Sequence, residues 1–144
     1  MKRWMVLGIG GVALAVVGFL LIQLVPYGRN HQNPPVVLEA KWDNPQAREI
    51  ARRACYDCHS NESEWPWYSN VAPVSWLIQH DVEEGRSKLN FSNLRNARKL
   101  SDAIDKVRNG EMPDPKYLIL HPSARLTAEE KKQLMDSFTV MMRQ

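Results

Sequence analysis

Cys55 and Cys58 stand three residues apart and His59 follows directly, in the run Cys55-Tyr56-Asp57-Cys58-His59. These are the only two cysteines in a chain of 144 residues. A bridge between them would close a tiny loop and restrain little of the unfolded chain, so the pair makes a poor structural disulfide. On a helical turn, residues i and i+3 face the same way. Both thiols can then reach the two vinyl groups along one edge of a haem, and the next residue sets its imidazole under the iron. C-x-x-C-H is the attachment sequence of c-type haem. Cys55 and Cys58 are the predicted thioether residues of one covalent haem c, and His59 is its proximal iron ligand. The second ring nitrogen of such a ligand usually donates a hydrogen bond that orients the ring.

Two other chemistries use the same residue types. A thioredoxin-like C-x-x-C follows a strand within a β/α pattern, and no such pattern occurs here. A zinc site would need a fourth ligand beyond Cys55, Cys58 and His59, and His80 and His121 are the candidates.

Met112 is the predicted sixth iron ligand. It lies in Gly110-Glu111-Met112-Pro113-Asp114-Pro115, where prolines stiffen the chain and no apolar period accounts for a methionine. A thioether on a rigid loop suits an iron that must exchange electrons with little reorganisation. Met135, Met141 and Met142 fall on a helical stripe and read as packing. His80 and His121 are the rival ligands. Otherwise His80 is an exposed helical histidine beside Glu83 and Glu84, and His121 a hydrogen-bonded turn histidine before Pro122. His31 is expected to be solvated close to the membrane. Trp65, Trp67 and Trp76 are expected to wall the haem pocket.

Helices must position these residues. Asn44 can cap a helix whose first residue is Pro45. Ala47, Ile50, Ala51 and Ala54 give that helix a narrow face of small residues leading into Cys55. A second helix follows Pro73, with Val74, Leu77, Ile78 and Val82 on one side and Gly85 near its end. A weaker helix is predicted from Ser92, and a short one over Asp102–Asn109, ended by Gly110. Thr127-Ala128-Glu129-Glu130 is a capping box. It opens a last helix with Leu134, Met135, Phe138, Met141 and Met142 on its apolar stripe. No segment alternates with period two for long enough to make a sheet, so the fold class is all-α.

The N-terminus is a different kind of segment. After Lys2 and Arg3, 22 residues from Trp4 to Val25 are uncharged and apolar except for Gln23. As a helix they span about 33 Å, the hydrocarbon thickness of a bilayer. The run is longer than a signal-peptide core and exits through a poor cleavage site, which favours an uncleaved anchor. Residues 1–28 are read as a single-pass membrane anchor with Lys2 and Arg3 in the cytoplasm. Residues 29–41, with Asn33-Pro34-Pro35, form a semi-rigid stalk or strap, and 42–144 form the haem-binding domain on the periplasmic side of a bacterial cytoplasmic membrane.

The formal charge of +3 comes mostly from the first residues. Beyond Arg3, 17 basic residues face 16 acidic ones. A near-neutral domain lacks the electrostatic footprint of a nucleic-acid binder.

The chain resembles the small bacterial haem-binding domain family built around one C-x-x-C-H. The likeness lies in Gly28-Arg29-Asn30-His31-Gln32-Asn33-Pro34-Pro35-Val36 and in Arg53 to Glu62 around the motif. It continues in Trp65-Pro66-Trp67-Tyr68-Ser69, Ala72-Pro73-Val74-Ser75-Trp76, Leu89-Asn90-Phe91-Ser92, Met112-Pro113 and Leu120-His121-Pro122. It departs after Ser92, where Asn93-Leu94-Arg95 stands in place of an expected Trp. The resemblance implies a cytochrome-c-like helical domain around one covalent haem. No paired acid–base set accompanies the motif, which favours an electron carrier serving a redox partner protein at the membrane surface. The alternative is a haem-based sensor or a small peroxidase-like enzyme with a labile sixth ligand.

Overall fold

The computed structural model describes residues 2–144, without the side chains of residues 2, 3, 5 and 6. The orientation expected from the charges of Lys2 and Arg3 rests on side chains that lie outside what is described. The helices are α1 Lys2–Ile22, α2 Pro45–Ala54, α3 Tyr56–His59, α4 Val74–Lys88, α5 Lys99–Arg108, α6 Tyr117–Leu120 and α7 Ala128–Met141. Short 3-10 turns occupy Trp67–Asn70 and Pro122–Ala124. Among the described residues the only β pairing is an isolated parallel bridge between Leu38 and Asn93, and the all-α expectation holds. The chain divides into two compact units, Met1–Gln32 with Trp65–Asp81, and Asn33–Glu64 with Val82–Gln144.

The second unit holds the hydrophobic core. Asn44 Oδ1 accepts the Gln46 N–H at 2.9 Å, and Pro45 opens α2. Its small face, Ala47, Ile50, Ala51 and Ala54, is buried and α2 packs on α7. The capping box of α7 forms reciprocally: Thr127 Oγ1 accepts from Glu130 N, and the Glu130 carboxylate from Thr127 N. Leu134, Phe138 and Met141 are buried, with Met135 and Met142 against them. α5 lies on the same helix, burying Leu100, Ile104 and Val107, and Gly110 follows at φ +74°, a left-handed conformation that glycine adopts without strain. An aromatic column joins these elements. Phe91 lies 5.4 Å from Tyr56 and 5.8 Å from Phe138 between ring centroids, and Trp42 tilts across Phe91 and Phe138.

The segment after Asn33 is a strap on this unit. Val37 and Leu38 N–H donate to the Ser92 carbonyl at 3.0 and 3.1 Å, and Ala40 N–H to Phe91 O at 2.7 Å. This explains why the helix expected from Ser92 is absent. The carbonyls of Phe91 and Ser92 accept from the strap instead of from the chain four residues on, and the next helix, α5, begins at Lys99.

α4 also departs from its expected apolar face. Val82 is buried, but Val74 is 39% and Leu77 48% exposed, while Ser75 and Gly85 turn inward. Backbone crosses the helix at both small residues. A Cβ on Gly28 (φ +81°) would lie 2.3 Å from Ser75 O, and one on Gly85 would lie 2.4 Å from Cys58 O.

In the first unit, the single polar side chain of the apolar run is bound twice to Ala72. Gln23 Nε2 donates to Ala72 O at 2.9 Å, and Ala72 N–H donates to Gln23 Oε1 at 3.0 Å. His31 is half-buried, not solvated: its ring stacks on Trp65 at 4.5 Å, and Nε2 lies 3.0 Å from Ser69 O. A flat indole and a carbonyl acceptor replace water around it. On α1, Trp4, Leu7, Val12 and Leu14 are all more than half exposed. Among the described residues no helix is long and apolar enough to cross a membrane.

Candidate functional site

α2 delivers the motif. Cys55 ends that helix with its N–H on Ala51 O at 2.8 Å, and the chain turns again at once. Cys58 N and His59 N both donate to the Cys55 carbonyl, at 3.3 and 2.9 Å. Neither cysteine is in a disulfide, and both are half-buried on one turn. Burial, with Cys58 adjacent, pushes the Cys55 thiol up to about 12, so it stays protonated at neutral pH. The two intervening residues fasten the turn on opposite sides. Tyr56 enters the core, stacked on Phe91, and its hydroxyl accepts the Trp42 indole N–H at 3.1 Å. Asp57 accepts the Tyr117 hydroxyl at 2.6 Å and the Glu64 N–H at 3.1 Å.

His59 is held at one nitrogen. Its Nδ1 lies 3.0 Å from the carbonyls of both Gly85 and Leu89. Carbonyl oxygens only accept, so Nδ1 carries the proton and Nε2 keeps its lone pair. Desolvation lowers the ring's pKa, with the two backbone bonds opposing it, and the neutral form is the one that binds a metal. Gly85 makes this possible, because any larger residue would force α4 off the Cys58 carbonyl. The Leu89-Asn90-Phe91-Ser92 segment completes the clamp. Phe91 N–H donates to His59 O at 2.8 Å, Asn90 Nδ2 to Asn61 Oδ1 at 2.8 Å, and Asn61 N–H to Ser92 Oγ at 2.9 Å. Arg86 adds donors to Ser60 O and Ser63 Oγ at 2.7 and 2.9 Å.

The chain matches the haem-binding domain family over residues 17–139. It belongs to that family. No curated protein and no solved structure matches it. The residues of this haem-binding domain fit the group its family name calls for. A neutral imidazole with Nδ1 anchored and its Nε2 lone pair kept is the ligand an iron needs, and two cysteines outside any disulfide precede it on the same turn. Among the described residues no three of His, Cys, Asp and Glu gather as a metal-holding cluster.

Of the other residues singled out by the sequence, Met112 and His121 share the unit of this haem-binding domain that carries His59. Met112 is half-buried, with its N–H on Lys106 O at 3.2 Å and a buried Pro113 behind it. His121 is the turn histidine expected. Its Nδ1 lies 3.1 Å from Tyr117 O, and its ring stacks on Tyr117 at 4.0 Å. His80 is exposed on α4 and belongs, with Trp65, Trp67 and Trp76, to the other unit. There Trp67 is 78% exposed, while the indole N–H groups of Trp65 and Trp76 are buried without a partner among the described residues. Sequence reading missed three participants: Gly85, Asp57 with Tyr117, and the Leu89–Ser92 clamp. The only available signal was the recurrence of small and amide residues where no periodicity required them.

Proposed function

We propose that this haem protein is a membrane-anchored, mono-haem c-type cytochrome acting in electron transfer. The observation that carries the reading is His59, with Nδ1 fixed between the Gly85 and Leu89 carbonyls, directly after two cysteines outside any disulfide on one turn. Cys55 and Cys58 would hold the group by adding S–H across its two vinyl substituents, each sulfur forming one C–S bond while its proton goes to the neighbouring carbon. His59 Nε2 would ligate the iron, with Met112 as the sixth ligand. When bound, haem supplies reversible one-electron exchange between ferric and ferrous iron. The chain's own part is to hold the imidazole rigid and neutral and to keep the attachment turn from moving.

Anchoring rests on the uncharged run Trp4–Val25 and on the exposed apolar side chains of α1. In this reading the haem unit works at the periplasmic face, passing electrons to a partner protein at the membrane surface. Acid–acetone extraction followed by denaturing electrophoresis tests covalent attachment. Haem stain should stay with the band, and Cys55→Ala or Cys58→Ala should leave an unstable single-thioether product. Stain lost on extraction sinks the c-type assignment. Fractionation tests the anchor: a mature chain beginning between Val25 and Asn30 would identify a cleaved signal peptide instead.

A further inference from the structure

Charge in this chain is unevenly placed. Residues 85–101 carry Arg86, Lys88, Arg95, Arg98 and Lys99 and no carboxylate, whereas the rest beyond Arg3 has 12 cations against 16 carboxylates. A cavity of about 240 Å³ opens in this stretch, walled by Arg86, Arg95 and Lys99 with the amides of Asn93 and Asn96. No acidic side chain lines it. Arg86 is half-buried and fixed by donors to Ser60 O, Ser63 Oγ and Asn33 Oδ1. Arg95 Nε donates to Asn93 Oδ1 at 3.0 Å, and Lys99 Nζ to Ser87 O at 2.8 Å. Both acceptors are neutral, so these two bonds position Arg95 and Lys99 without cancelling their charge.

Cations converging on one cavity repel each other unless an anion lies between them. The Arg95 guanidinium and the Lys99 ammonium, with amide donors beside them and the fixed positive charge of Arg86 behind, suit a tetrahedral oxyanion better than a chloride or a flat aromatic acid. The small volume suits a small ion and not an extended polyanion, which needs a stripe of charge. We propose that this cavity is a binding site for a phosphate-class oxyanion, free or as the headgroup of an anionic lipid. It is built entirely within the unit that carries His59 and does not depend on the redox reading.

Calorimetric titration of the full-length chain in uncharged detergent with inorganic phosphate, at constant ionic strength, tests it. Binding should be saturable, and Arg95→Gln with Lys99→Gln should weaken it by about tenfold or more. Both positions are exposed, so the variant should keep its helical spectrum and melting temperature. Lys132→Gln removes a cation of α7 that does not line the cavity and should leave phosphate affinity unchanged. Repeating the titration with phosphatidylcholine vesicles, with and without phosphatidylglycerol, separates the two sources. Competition by phosphatidylglycerol, in the unsubstituted chain alone, identifies a lipid headgroup site, and unchanged phosphate affinity identifies a free-anion site. Equal phosphate affinity in the unsubstituted chain and the double variant, or no saturable binding, overturns the proposal.

Discussion

The Tyr117 hydroxyl donates a 2.6 Å hydrogen bond to Asp57 Oδ2, joining the middle of the attachment motif to a helix 60 residues away. Burial and the Asp57 carboxylate together raise the Tyr117 pKa, so the phenol remains a donor throughout the working pH range. Tyr117→Phe keeps the stacking on His121 and removes only that bond. A charge-assisted bond of this kind contributes about 2 kcal/mol. Denaturant unfolding should show a loss of that order, and a smaller one for Asp57→Asn, whose amide oxygen still accepts.

Gly85 should tolerate no side chain. A Cβ there would lie 2.4 Å from Cys58 O, so Gly85→Ala must push α4 away from the attachment turn and take the Gly85 and Leu89 carbonyls from His59. The expected result is about 1–3 kcal/mol of destabilisation and a lower haem-to-protein ratio by absorbance. Gly8→Ala, with nothing within 4 Å, serves as the comparison and should be silent on both measures.

What was legible in the sequence was local. The cap at Asn44, the capping box at Thr127, the left-handed Gly110 and the C-x-x-C-H turn each depend on residues within one or two turns, and each forms as read. The features that hold His59 are not local. Gly85 looks like an ordinary helix end until Cys58 is placed against it, and Ser92 looks like a helix start until its carbonyl is seen to accept from Val37 and Leu38. His31 looked solvated because nothing nearby in sequence announced Trp65. Small residues that admit backbone approach leave no apolar period, and for that reason the apolar pattern of α4 does not mark its inward face.

The capping box gives a pH-dependent term. Glu130 has its pKa lowered, first by the Thr127 backbone N–H, with Arg53 and the Thr127 hydroxyl adding to it. A carboxylate whose folded pKa lies below its unfolded value contributes stability above the unfolded value, near 4.3. That contribution is lost as pH falls through the depressed folded value. Unfolding free energy measured from pH 7 down to about 3 should therefore fall less steeply in Glu130→Gln. Thr127→Ala should cost about 1 kcal/mol at neutral pH.

In the proposed cytochrome, Met112 would decide whether the haem iron is closed to outside ligands. Its N–H and that of Glu111 both donate to Lys106 O, Gly110 sets the turn, and Lys116 N–H on Asp114 Oδ1 fixes the far side. A loop pinned at both ends can present a thioether with little entropy left to lose. A neutral thioether favours ferrous iron relative to a second imidazole, so methionine ligation gives the higher potential. Met112→Ala should abolish the weak near-infrared band of methionine-ligated ferric haem, open the iron to carbon monoxide and lower the midpoint potential. His80→Ala and His121→Ala should leave that band in place. A bis-histidine spectrum that vanishes in His80→Ala would return Met112 to a packing role. Rapid carbon monoxide binding by the unsubstituted protein would instead make the iron a sensor or a small peroxidase-like centre.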